Sequence, residues 1–128
     1  MTTQITEGVK ISVEAIYQSE YSNPENLHFM YAYQITIENL SAYTVQLMHR
    51  HWEIYDSIGE FKEVNGEGIV GEQPILIPGQ RHQYVSGCNL KSDMGYMVGH
   101  YQMVRPLDNT VFQVEIPRFE LIATYKLN

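Results

Sequence analysis

The chain has one cysteine, Cys88, in 128 residues. No internal disulfide can form, so the sequence points to a reducing, cytoplasmic setting, and Cys88, with no His or Arg beside it, reads as a small buried hydrophobe. Basic residues are sparse as well: eight Lys and Arg against fifteen Asp and Glu give a formal net charge of −7. They fall singly, at 10, 50, 62, 81, 91, 105, 118 and 126, which argues against nucleic acid or an anionic membrane as a partner. No apolar run approaches the length of a membrane span, and the start Met-Thr-Thr-Gln-Ile-Thr-Glu-Gly lacks the charge and apolar stretch of a secretory leader. Also missing is a 3.6-residue apolar period sustained over three turns, so no long amphipathic helix is expected.

What the chain does have is alternation. Val9, Ile11, Val13, Ala15 and Tyr17 take every second position, and so do Phe29, Tyr31, Tyr33, Ile35 and Ile37, which predicts two strands with one face on a core. From Thr44 to Asp56 the apolar set changes phase, with Val45 and Leu47 odd and Trp52 and Ile54 even. A bulge near His49, Arg50 and His51 would return both sets to one face. Asp56 to Gly59 reads as a hairpin turn into a short strand, Phe61 to Val64. Gln83 to Leu90, Gly95 to Arg105, Val111 to Ile116 and Phe119 to Tyr125 complete the strands, with Pro117 marking a kink or an edge. Seven to eight short strands with Gly, Pro, Asn and Asp between them predict an all-β antiparallel sandwich. The length suits one domain, residues 1–128.

Val64 to Gly79 stands apart, and is expected to be a specially shaped loop. Gly66, Gly68 and Gly71 spell G-x-G-x-x-G, whose amides would suit a pyrophosphate if a helix followed. Pro74, Pro78 and Gly79 forbid an early helix, and Glu63, Glu67 and Glu72 crowd the loop with negative charge. The glycines are therefore expected to permit a tight connection across the sandwich.

The chain resembles the ApaG family. The likeness rests on Arg50-x-Trp52, Gly66-Glu67-Gly68-Ile69-Val70-Gly71 with Gln73-Pro74, Pro78-Gly79, Tyr84-x-Ser86-Gly87, Gly95-x-Met97-x-Gly99-His100-Tyr101-x-Met103, and Phe112 through Ile116-Pro117-x-Phe119-x-Leu121. It implies a sandwich like fibronectin type III or immunoglobulin domains. Bacterial members are associated with a diadenosine tetraphosphate hydrolase by gene neighbourhood and with cobalt and magnesium homeostasis by genetics. Related domains in eukaryotic F-box and polymerase-interacting proteins look like protein-binding modules. The family brings no catalytic residues to carry over.

The expectation is a non-catalytic binding module with no cofactor and no metal, recognising another protein. Ile69, Val70, Arg50 and Trp52 are the candidate contact surface, with the core as the alternative place for Trp52, and an open edge would also permit a homodimer. The alternative is a site for pyrophosphate or a dinucleoside polyphosphate at Gly66, Gly68 and Gly71. His49 and His51 have the spacing of two metal ligands on one strand face, against which stands the reading of ordinary half-buried histidines. His82, Ser86 and Asp93 name a triad, but four residues along a strand separate His82 from Ser86 by roughly 13 Å. Met97, Gly99, Tyr101 and Met103 share one face, with Tyr96, Val98 and His100 on the other, which suggests a central strand covered on both sides.

Overall fold

The computed structural model describes residues 1–124. Among the described residues nine strands run in chain order: β1 (Thr2–Thr6), β2 (Val9–Tyr17), β3 (Phe29–Asn39), β4 (Val45–Asp56), β5 (Glu60–Glu67), β6 (Ile75–Leu76), β7 (Arg81–Leu90), β8 (Met94–Arg105) and β9 (Thr110–Ile122). Two single-turn 3-10 pieces, Ser19–Tyr21 and Pro24–Asn26, occupy the polar loop between β2 and β3. One sheet has the order β1-β2-β3-β7, the other β5-β4-β8-β9 with β6 also paired to β4, and every pairing is antiparallel. This is the all-β antiparallel sandwich that the alternation predicted, and it is consistent with the fibronectin-like fold that the resemblance implied.

The core lies where the inward rows meet. Val9, Ile11 and Val13 of β2 and the odd positions of β3 from Phe29 to Ile37 face Leu47, Met97, Tyr101, Met103, Ile116 and Leu121 of the second sheet, all buried. Trp52 is at its centre, edge-on to Tyr33 with centroids 5.6 Å apart and to Phe119 at 5.9 Å. The phase change in β4 resolves as expected: the register slips between Leu47 and His49, making Met48 the extra residue, so Val45, Leu47, Trp52 and Ile54 all point inward.

Several boundaries differ from the sequence reading. β1 was not expected; it pairs with β2 through Glu7 and Gly8, both at positive φ (52° and 78°) as a type I′ hairpin requires. Its one large apolar side chain, Ile5, is exposed, so it carries no alternation to read. The strands expected at 111–116 and 119–125 are one strand as far as Ile122, and Tyr125 lies outside the described residues. Pro117 sits on an edge strand where the β8–β9 register slips, so its missing N–H leaves no ladder bond broken. β5 runs on to Glu67, so Val64 to Glu67 is strand and not loop. β8 is covered on one side only: Met97, Tyr101 and Met103 are in the core, while Tyr96, Val98 and His100 are half-buried on the outer face.

Two buried polar side chains close the ends of the sandwich. Asn39 donates Nδ2 to the carbonyls of Tyr43 and Leu76 at 2.8 and 2.9 Å and accepts at Oδ1 from the Ser41 amide and hydroxyl. Asp56 accepts from the Lys91 amide at 2.7 Å and from the Ser92 hydroxyl, tying the β4–β5 turn to the β7–β8 turn.

Candidate functional site

The sandwich is packed shut along one margin, where β9 meets β1 and β2. Along the other margin stand β5 and β7, each hydrogen-bonded to a neighbour on one side only. Between them a cleft of about 410 Å³ opens. One wall is the inward row of β7, Tyr84, Ser86 and Cys88; the other comes from Arg50, Ile54, Lys62 and Val64 of β4 and β5; Tyr33, Trp52 and Met97 form the floor. Because β7 is the last strand of its sheet, the inward face of β5 has no strand over it. Val64 therefore remains 37% exposed although it pairs with Trp52, which is 3% exposed.

The G-x-G-x-x-G segment forms the lip of this cleft, and its three glycines do three different jobs. Gly66 is in β5 opposite Arg50, where a Cβ would fall 2.7 Å from the guanidinium carbon. Its bareness lets the Arg50 side chain lie across β5 and donate Nη1 to the carbonyls of Glu67 and Gly68, both at 2.9 Å. Gly68 has φ +57°, and a Cβ there would sit 2.0 Å from the Glu72 carbonyl oxygen. Gly71 is the second central residue of a two-residue hairpin closed by reciprocal backbone bonds between Ile69 and Glu72 at 2.8 and 2.9 Å. The first central residue is Val70, at φ +47°. A β-branched side chain in that region is a strained outlier, and such strain clusters at functional sites.

The candidate contact residues thus divide. Ile69, 1% exposed, and Trp52 belong to the core, which corrects the placement of Ile69 on an exposed patch and decides for the core alternative at Trp52; Ile69 turns inward because the hairpin reverses the chain there. Val70 stands out at 67% exposure on the cleft rim, and Arg50 is half-buried in the wall. The glycine segment joins β5 to β6 along one edge of β4, and the crossing to the other sheet is made afterwards, at Ile77 to Gln80. No helix follows Gly71. The Gly68 amide is committed to the Met48 carbonyl at 2.8 Å and those of Ile69 and Glu72 to each other's carbonyls, so the loop does not offer the run of free amides that a phosphate nest needs.

The electrostatics of the cleft are set by burial. Desolvation raises the Tyr33 phenol, partly offset by its hydrogen bond with Ser86, and raises Tyr84 and Tyr101 further, although nearby Arg50 pulls all three down. The Tyr84 and Tyr101 hydroxyls share a 2.5 Å hydrogen bond between the sheets. Cys88, 7% exposed, has its thiol pushed up to about 11 by burial, and is inert at neutral pH as the sequence suggested. His82 and Ser86 are four residues apart on β7, whose ladder with β3 shows no slip, so no triad forms; His82 instead lies 4.0 Å from Glu72. On the outer face of the other sheet, His49, His51 and His100 line a shallower depression of about 430 Å³.

Arg50, Trp52, Val70, Tyr84, Ser86 and Met97, which come from four separate motifs of the sequence, meet at one cleft. The ApaG domain profile matches residues 19–105, a span that contains all of them. This chain belongs to the ApaG family. Protein ApaG of Brucella canis is 46% identical over 121 residues, covering 94% of this chain and 92% of that one. Protein ApaG of Brucella abortus strain 2308 is 45% identical over the same length. Among solved structures, the putative ApaA protein from Bordetella pertussis superposes with a TM-score of 0.87 at 36% identity, covering 91% of this chain and 94% of that one. The C-terminal domain of wzt, 12% identical with a TM-score of 0.55, shares the fold alone. ApaG is not a known enzyme family, and among the described residues no helix is long and apolar enough to cross a membrane. Sequence reasoning passed over Lys62, Val64 and Tyr33 as site residues. Lys62 and Val64 are alternate residues of β5 while Tyr33 is on β3 of the other sheet, and no spacing along the chain brings Tyr33 to the other two.

Proposed function

We propose that this ApaG chain is a non-catalytic binding module that takes an extended segment of a partner protein along the margin between β5 and β7. The observation that carries the proposal is the cleft itself: an aromatic floor between two edge strands whose outward backbone groups have no strand partner. Such an edge gives an incoming strand main-chain hydrogen bonds, and the pockets beside it select side chains. Val64 and Val70 on the rim and Trp52 below suit an apolar side chain, while Lys62 and Arg50 supply the positive charges among the described residues of the lining. An apolar residue followed by an acidic one is the pattern this wall would select.

A pyrophosphate in the glycine loop is the weaker reading. Gly68 already spends its amide, and Arg50, the nearest cation, is held by two loop carbonyls.

The test is selection from a randomised peptide library on immobilised protein, run in parallel on wild type and on Val64→Glu/Val70→Asp. The proposal expects wild type to enrich an extended apolar-acidic motif and the double variant to lose it. Equal enrichment on both proteins, or a diadenosine tetraphosphate that competes the peptides away while shifting the Gly66 to Gly71 amides, would contradict it.

A further inference from the structure

We infer that His51, Glu53 and Glu63 form a binding site for a divalent transition-metal ion of the zinc or cobalt class, on the outer face of the five-stranded sheet and separate from the cleft. His51 and Glu53 are alternate residues of β4, and Glu63 stands directly opposite Glu53 on β5. One ligand atom from each of the three lies within 4.8 Å of the other two. Bonds of 2.0–2.2 Å in a tetrahedral site put neighbouring ligand atoms roughly 3.3 Å apart, so the carboxylates need close by only about 1.5 Å, within the reach of an exposed Glu rotamer.

Three further features support a cation there. Glu53 and Glu63 are like charges paired directly across two strands, an arrangement that destabilises a sheet unless something positive lies between them. Among the described residues neither forms an ion pair with a lysine or arginine, and His51 Nε2 is 3.8 Å from Glu53. Second, His51 Nδ1 is 2.6 Å from the amide oxygen of Asn65. That oxygen only accepts, so Nδ1 donates to it, and in the neutral ring the lone pair is then at Nε2, the nitrogen that faces Glu53; this is the outer-shell arrangement that orients a metal-binding imidazole. Third, the His100 ring stacks on His51 at 4.9 Å and 28°, fixing its plane. One imidazole and two carboxylates neutralise a dication, and the nitrogen ligand selects zinc, cobalt or nickel over magnesium and calcium. The half-exposed setting leaves a coordination position for water. His49, the histidine that spacing alone would pair with His51, is not in the cluster.

The test is titration of the full chain with Zn²⁺ by calorimetry and with Co²⁺ by visible absorption, while the ring nitrogens of His51 are followed by NMR. The expected result is saturable one-to-one binding with a large shift at His51 Nε2. Affinity should drop on the order of tenfold or more in Glu53→Gln and in Glu63→Gln and stay unchanged in His49→Gln, with amide spectra confirming that each variant is folded. Wild type showing no saturable binding, affinity unchanged in both glutamine variants, or a shift that follows His49 or His100 in place of His51 would overturn the inference. The peptide selection and this titration report on opposite faces of one sheet, so either can fail alone.

Discussion

Arg50 lies flat over Gly66, with its guanidinium carbon 2.7 Å from where a side chain on that glycine would begin, and from this seat it holds two carbonyls of the next turn. Gly66→Ala must displace the guanidinium, which is the far end of a flexible side chain, whereas Gly68→Ala must displace backbone and also adopt φ +57°. Urea unfolding should show a loss of about 1 kcal/mol for Gly66→Ala and about 2 kcal/mol or more for Gly68→Ala. The reverse order would mean that Arg50, and not the hairpin, fixes the lip.

Val70 is strained where it stands. Val70→Gly should raise stability by roughly 0.5 to 1 kcal/mol, because glycine accepts positive φ without the Cβ clash. It should also weaken any peptide selected on the cleft, since the rim loses its apolar tip. A variant both more stable and equally good at binding would show that the strain has no bearing on recognition.

Asn39 is 0% exposed and fully used, with two donors and one acceptor engaged. Asn39→Ala takes the side-chain donor from the buried Leu76 carbonyl and one of two donors from the Tyr43 carbonyl, which keeps the Ser41 hydroxyl, at about 1 to 3 kcal/mol. Asn39→Asp keeps the shape but turns an oxygen toward those carbonyls, and should unfold at least as easily. A midpoint shift near zero for both variants would remove Asn39 from the account of the sandwich end.

Burial holds the Cys88 proton, normally lost near 9.0, until about 11, and raises the Tyr84 and Tyr101 phenols too. The unfolded chain ionises first, so stability is intact below pH 9 and declines as pH rises from there toward 11, by on the order of 2 kcal/mol from Cys88 alone. Urea midpoints taken at about pH 8, 9.5 and 10.5 check the sign, and Cys88→Ala should flatten the decline.

The strands were legible where one face is buried and the other is not, since that condition writes a period of two into Val9–Tyr17 and Phe29–Asn39. β1 escaped, and β5 was legible only as Phe61 to Val64, because the condition fails: Ile5 faces solvent and the inward row of β5 has no sheet above it. The motif at Gly66, Gly68 and Gly71 reads in sequence as a structural connection with a phosphate site as the alternative, because the same three letters serve a phosphate nest and a strand-to-hairpin lip, and only contacts tell them apart. Trp52 and Ile69 could be named as important, but whether each is surface or core depends on the Met48 bulge and on the hairpin at Val70.

The central claim is that the margin between β5 and β7 receives a partner strand, and amide shift mapping with a library-selected peptide tests it most directly. The account predicts saturable shifts and slowed hydrogen exchange for amides of β5 or β7 together with Val70, and no change along β1 and β9. Shifts confined to the β1 and β9 margin, or scattered with no edge strand protected, would contradict it.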